Sequence, residues 1–175
     1  MAINKILTTT LALAAATAVG TAAFAGADTG ALHASATLVD RAGLVVGSAR
    51  FVEDANGIVH VNVKVNGLDS GEHGIHIHSV ANCTQPFTAA GGHHNPLGVP
   101  HGGHAGDLPN LTVNIAGRGH LNATTDHATL STGPLSVFDA DGSSIVIHAA
   151  PDDFVGQPAG NSGARIACGV ISLVS

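Results

Sequence analysis

The chain has 175 residues, a formal net charge of −6, and neither Trp nor Tyr. That length suits one domain with its own apolar core. Beyond Lys5, the fixed positive charges are Arg41, Arg50, Lys64, Arg118 and Arg165. They are scattered through an acidic chain, which argues against binding nucleic acid or an anionic membrane.

The first 25 residues read as an export signal. Lys5 supplies a basic start, Ile6 to Ala25 an apolar run, and Ala23-Phe24-Ala25 a small-residue cleavage site. Thr8, Thr9, Thr10, Thr17 and Thr21 dilute the run, and no basic stop-transfer cluster follows. No Cys stands there to accept a lipid. The expected product is a soluble mature domain, residues 26–175, in the periplasm or outside the cell and without a stable membrane anchor. In an oxidising compartment the two cysteines, Cys83 and Cys168, are expected to pair.

Short strands follow. Residues 32–38 and 45–52 give the first two, and Asn56-Gly57 a hairpin turn. Residues 58–65 give the third, with Val59, Val61, Val63 and Val65 on one face and His60, Asn62 and Lys64 on the other. Further strands are expected at 71–79, 110–116, 119–125, 143–148 and 165–174. Alternation with frequent turns predicts an all-β fold, a Greek-key sandwich or flattened barrel of about eight antiparallel strands. Residues 80–109 and 149–164 lack alternation and are rich in Gly and Pro, which predicts two long functional loops.

Of the 12 histidines, His73, His76, His78, His93, His94, His101 and His104 fall within 32 residues. In His76-Ile77-His78 the imidazoles share one strand face while Ile75 and Ile77 take the other. Ile145-Val146-Ile147-His148 repeats the pattern. With His93, His101, His104 and Asp107 on the adjoining loop, the sequence predicts a metal site built on strands and roofed by loops. Imidazoles with one carboxylate suit zinc, and an all-imidazole group suits copper.

Two segments carry a specific likeness. Gly71-Glu72-His73-Gly74-Ile75-His76-Ile77-His78 and Gly160-Asn161-Ser162-Gly163-Ala164-Arg165-Ile166-Ala167-Cys168-Gly169-Val170-Ile171 resemble the paired signatures of copper-zinc superoxide dismutases of the exported bacterial type. Gly92-His93-His94-Asn95-Pro96, His101-Gly102-Gly103, His104-Ala105-Gly106-Asp107-Leu108 and the stretch from His148 to Asp153 fall in matching order. The resemblance implies copper on His76, His78, His93 and His148. It implies zinc on His93, His101, His104 and Asp107, with His93 bridging the two. Asp152 matches a carboxylate that hydrogen-bonds one ligand of each metal. Arg165 matches the arginine beside copper, and Cys83–Cys168 a disulfide anchoring the loop to the last strand.

The implied activity is the conversion of superoxide to oxygen and hydrogen peroxide by copper redox cycling, with His93 relaying a proton. The resemblance admits a homodimer as well as a monomer. Only two residues separate His101 from His104, so that loop must fold tightly. His94 is expected at the rim of the site, and His73 as a structural tie. His33 and His60 are expected to be exposed, with His120 and His127 near turns. Two other functions compete: copper buffering without turnover, and zinc-dependent hydrolysis. Buffering needs neither a bridging His93 nor an anion-binding Arg165, and a hydrolase needs an open zinc position that four protein ligands would close.

Overall fold

A computed structural model describes residues 30–174, so the proposed export signal at 1–25 lies outside the described residues. Among the described residues ten strands form: β1 (Leu32–Asp40), β2 (Val45–Glu53), β3 (Val59–Asn66), β4 (Gly71–His73), β5 (Ile75–His78), β6 (Leu111–Val113), β7 (Arg118–Thr125), β8 (Ser144–His148), β9 (Arg165–Val170) and β10 (Ser172–Leu173). The two extra strands relative to the expected eight come from breaks. The segment 71–78 is interrupted at Gly74, and the segment after Arg165 at Ile171. One short 3₁₀ turn, Thr88–Ala90, lies in the first long loop.

The break at Gly74 closes the fold. Neighbouring strands run β4-β6-β7-β3-β2-β1-β9-β8-β5, so the two ends of the sheet are the two halves of one chain segment. Every pairing between named strands is antiparallel. The result is a nearly closed barrel, which leaves little free strand edge. A Cβ on Gly74 would lie 2.6 Å from the Ser162 hydroxyl, so a larger residue would push the second long loop off the barrel.

Period-2 patterning fills the interior as the sequence predicts. Val59, Val61, Val63 and Val65 are buried, while His60 and Lys64 are exposed. Leu38, Phe51, Ile75, Ile77, Leu111, Ile145 and Ile147 complete the centre. Each such side chain contributes roughly 1.5–3 kcal/mol by leaving water. Ile75 and Ile77 therefore seat β5 firmly, and their neighbours His76 and His78 inherit that rigidity. In the turn between β2 and β3, the Asp54 carboxylate accepts the Asn56 and Ile58 N–H groups at 2.8 and 3.1 Å.

Among the described residues, one buried carboxylate lies outside the histidine region. Glu53 accepts the Leu130 and Ser131 N–H groups at 2.6 Å each and the Ser131 hydroxyl at 2.7 Å. It pins the loop 126–143 across the barrel. Glu53→Ala strands two backbone donors and is expected to destabilise the fold by about 3 kcal/mol or more. Urea unfolding checks this, and a change near zero would show that the loop holds without its anchor.

Candidate metal centre

The strand edge at β5 organises the site. β5 pairs with β8 in the register Ile75↔Ile147 and His76↔Val146. His148, the last residue of β8, thereby comes beside His76 and His78. The long loop then runs back along the other edge of β5. Its backbone bridges are His78 with His93 and His76 with Asp107. The Ile77 N–H donates to the Gly106 carbonyl at 2.9 Å, and the His94 N–H to the Ile77 carbonyl at 2.8 Å. A few strand-like bonds thus carry the loop ligands to a rigid element.

Two groups of ligand atoms result, each with all its atoms within 4.8 Å of one another: His76, His78, His93 and His148, and His93, His101, His104 and Asp107. His93 stands in both. Its Nδ1 lies 2.8 Å from Asp107 Oδ1 and 3.3 Å from His104 Nδ1, on the side of the second group. Its Nε2 is buried and has no hydrogen-bond partner among the described residues. The ring therefore offers one nitrogen to each group.

Hydrogen bonds fix which nitrogen four of the other histidines present. His76 Nε2 donates to Asp152 Oδ2 at 2.7 Å, so its Nδ1, buried and unpartnered among the described residues, faces inward. His78 Nδ1 donates to the Gly91 carbonyl at 3.0 Å and His148 Nδ1 to the Gly163 carbonyl at 3.2 Å. Their Nε2 atoms meet 3.3 Å apart. His101 Nε2 donates to Asp152 Oδ1 at 2.9 Å, leaving its buried Nδ1 facing Asp107. Such outer partners set tautomer and ring direction, which metal ligation requires. Inward-facing buried nitrogens with no protein partner fit bound cations: left bare, each is a buried polar atom with an unmet bond.

Asp152 grips one histidine of each group, and its side chain has no exposure. Burial works to raise its carboxyl pKa. The bonds from His101 and His76 outweigh that and hold it below the usual carboxylate range. Asp107 follows the same pattern, with bonds from His93 and from the Gly102 and His104 N–H groups holding its carboxyl well below the usual value. Those N–H bonds, at 2.8 and 3.0 Å, also wrap the tight turn between His101 and His104 around the carboxylate.

Burial pushes His78 down to about 2, His76 to about 3 and His148 to about 4, from 6.5. Neighbouring histidines add to the fall. All three imidazoles are therefore neutral at pH 7, the form that binds metal. In the unfolded chain they protonate near 6.5, so below that pH the unfolded chain holds more protons than the folded one. Stability of the metal-free protein should then be full above about pH 6.5 and fall as the pH drops towards the folded-state values. Each group contributes at most roughly 1.4 kcal/mol per pH unit. The urea midpoint of demetallated protein is expected to drop steeply between about pH 6.5 and 4.5. A flat profile over that window would contradict burial of neutral rings.

A family model described as copper/zinc superoxide dismutase matches residues 45–171. The chain belongs to the copper/zinc superoxide dismutase family. It is 41% identical to superoxide dismutase [Cu-Zn] of Deinococcus radiodurans, over 95% of this chain and 98% of that one. It is 37% identical to superoxide dismutase-like protein YojM of Bacillus subtilis, over 82% of this chain and 78% of that one. The crystal structure of a SOD-like protein from Bacillus subtilis overlays with a TM-score of 0.74 at 37% identity, covering 78% of this chain and 96% of that one. The family assignment agrees with a barrel whose two long loops converge on one histidine cluster.

As a copper/zinc superoxide dismutase family member, the chain brings together all the residues expected for the two metal groups. Cys83 and Cys168 form a disulfide. Arg165 donates to the Phe87 and Gly91 carbonyls, each at 2.6 Å, so it shares the Gly91 carbonyl with His78. Arg165, His78, His93, His104 and His148 open together onto a cavity of about 320 Å³, walled on another side by Pro158 and Ala159.

Two expectations need amendment. His94 is not at the rim. It is buried at 2% exposure and points away from both groups, with Nε2 3.4 Å from the Leu135 carbonyl. The antiparallel bridge at His78 and His93 turns the next side chain to the opposite side. His33 is half-buried rather than exposed. His120 lies in β7 close to the turn that precedes it, as expected, with Nε2 2.7 Å from Asn62. His73 is buried as expected, with ring nitrogens 2.7 and 3.0 Å from the His148 and Asp69 carbonyls.

Sequence reasoning also missed two amides. Asn110 holds the Asp152 backbone by two bonds, to its carbonyl at 2.9 Å and from its N–H at 2.8 Å. Gln157 holds the His101 backbone in the same manner. Neither lies in a spacing pattern that betrays it.

Proposed function

We propose that the protein is an exported superoxide dismutase, with residues 1–25 as its signal and residues 26–175 as the mature domain in the periplasm or outside the cell. The substrate is the superoxide anion, and the products are oxygen and hydrogen peroxide. The observation that carries this reading is His93, whose two ring nitrogens serve two adjacent ligand groups.

In this reading His76, His78, His93 and His148 hold copper, and His93, His101, His104 and Asp107 hold zinc. Copper there would supply one-electron redox chemistry, and the four-ligand zinc set would leave no open position. The residues do the rest. Arg165 opens onto the cavity with N–H donors beyond the two already engaged, a fixed fork suited to a small anion. Its bonds to Phe87 and Gly91 hold the guanidinium still, so little ordering is needed when the anion arrives. His93 Nε2 can hold a proton at the cavity and release it to a departing peroxide. Its other nitrogen stays with the Asp107 side of the site, so the ring keeps its place as the proton moves. Asp152 keeps His76 and His101 in the tautomers that point their Nδ1 atoms inward.

Attraction of the substrate is short-ranged. The chain is acidic, and no Lys, Arg or Glu occurs between His148 and Arg165. Long-range guidance is therefore unfavourable or absent. The expected kcat/KM for superoxide is nearly flat, within about threefold, between roughly 10 and 200 mM salt. A steep fall with added salt would reveal a guiding field that the sequence does not supply.

The test of function is catalytic superoxide decay by protein loaded with copper and zinc, with metal content measured on the same sample. Many superoxide molecules consumed per copper support the reading. Tight copper retention with no turnover would replace it with copper buffering.

A further inference from the structure

The two metal groups are anchored differently. His76 and His78 lie on β5 and His148 on β8, where ladder bonds hold the backbone. His101 lies on irregular chain between β5 and β6, with no ladder beside it. Its backbone is held by a side chain from the other loop. The Gln157 carboxamide oxygen accepts the His101 N–H at 2.9 Å, and its NH₂ donates to the His101 carbonyl at 3.3 Å. A single side chain thus pairs with both peptide groups of His101, as a neighbouring strand would. The same loop grips the His101 ring through Asp152.

Close packing leaves this contact little slack. A Cβ on Gly102 would lie 2.6 Å from the Phe154 carbonyl, so the two loops touch backbone to backbone beside His101. Gly160, at φ 61°, approaches from the far side. A Cβ there would strike the Asp152 carboxylate and lie 2.6 Å from His101 Nε2. The His101 ring is thereby confined on one side, and its backbone is set by Gln157. Pro158 and Ala159 follow directly in sequence and wall the cavity shared by His78, His148 and Arg165.

We propose that Gln157 is a positioning residue for the zinc half: its carboxamide sets the His101 backbone, and so the aim of His101 Nδ1. This rests on the assignment of zinc to the group containing His101. The clamp also links that ligand to the wall of the cavity, because Gln157 and the wall are consecutive in the chain.

Two variants separate the polar pairing from bulk. Gln157→Ala removes the side chain, and Gln157→Leu keeps comparable size without either hydrogen-bonding group. Both are expected to release zinc to a chelator roughly tenfold faster than wild type, at the lower end of what outer partners of metal ligands contribute. Copper content and the melting temperature of the metal-free protein should stay near wild type. Cobalt(II) placed in the zinc half should show a d–d absorption band weakened or shifted in both variants, reporting altered ligand aim. Unchanged zinc release and an unchanged cobalt band in either variant would overturn the proposal. So would faster zinc release accompanied by matching losses of copper and of metal-free stability, since that marks general loosening. A wild-type protein that takes up neither zinc nor cobalt would instead overturn the zinc assignment, and the proposal with it.

Discussion

Asp152→Ala is expected to lower zinc affinity by about 10- to 100-fold and to remove most superoxide turnover at limiting zinc. The carboxylate has no exposure and joins His76 to His101 at 2.7 and 2.9 Å. It also accepts the Phe154 N–H at 2.7 Å. Without it, two buried ring N–H groups lose their acceptor, and both rings become free to take the other tautomer. The nitrogens aimed at the two groups then lose their fixed identity together. Asp153→Ala is the control, because Asp153 is exposed and its carboxylate accepts bonds from Val155, Gly156 and Asn161 within its own loop. Metal analysis after dialysis against a competing chelator, with superoxide decay on the same samples, checks the outcome. Equal zinc retention in the two variants would show that tautomer control lies elsewhere.

The second large effect concerns the disulfide. Cys83 and Cys168 are 85 residues apart in sequence, and closing a loop of that length stabilises the folded state by roughly 4–5 kcal/mol on the chain-entropy model. For a domain of this size, Cys83→Ser with Cys168→Ser should lower the melting temperature by roughly 10–15 °C. The loss should reach the active site as well. Phe87, Ala90, Val146 and Cys168 form a small apolar cluster beneath the tethered loop. That loop supplies the Phe87 carbonyl to Arg165 and the Gly91 carbonyl to both Arg165 and His78. Freed from β9, it no longer fixes the guanidinium or the His78 tautomer, so activity should fall even well below the melting temperature. Calorimetry and superoxide decay at matched copper content test both parts. A double variant with full activity and only a lowered melting temperature would confine the disulfide to a stabilising role.

Much of this architecture was legible because strand periodicity and ligand spacing are local signals. The alternation Val59, Val61, Val63 and Val65 dictates which face of β3 is buried. His76 and His78 are placed by the same period, since Ile75 and Ile77 must enter the core. The unread features depend on contacts across long sequence distances. Closure of the barrel turns on Gly74, where one segment changes neighbours without changing its pattern. His94 reads as a rim residue in sequence, but the bridge between His78 and His93 sends it to the opposite, buried side. Gln157 and Asn110 act through backbone contacts in irregular loops, where no periodicity marks a partner.

One imidazole, His93, stands in both ligand groups and joins them. The most direct test is the copper paramagnetic resonance of two samples, one with copper and zinc and one with copper and cobalt in the zinc half. If His93 joins the sites, the copper signal should be lost or strongly broadened when cobalt replaces zinc, and should return in His93→Ala carrying both metals. A copper signal unchanged by cobalt in the wild-type protein would mean that the two groups do not share His93.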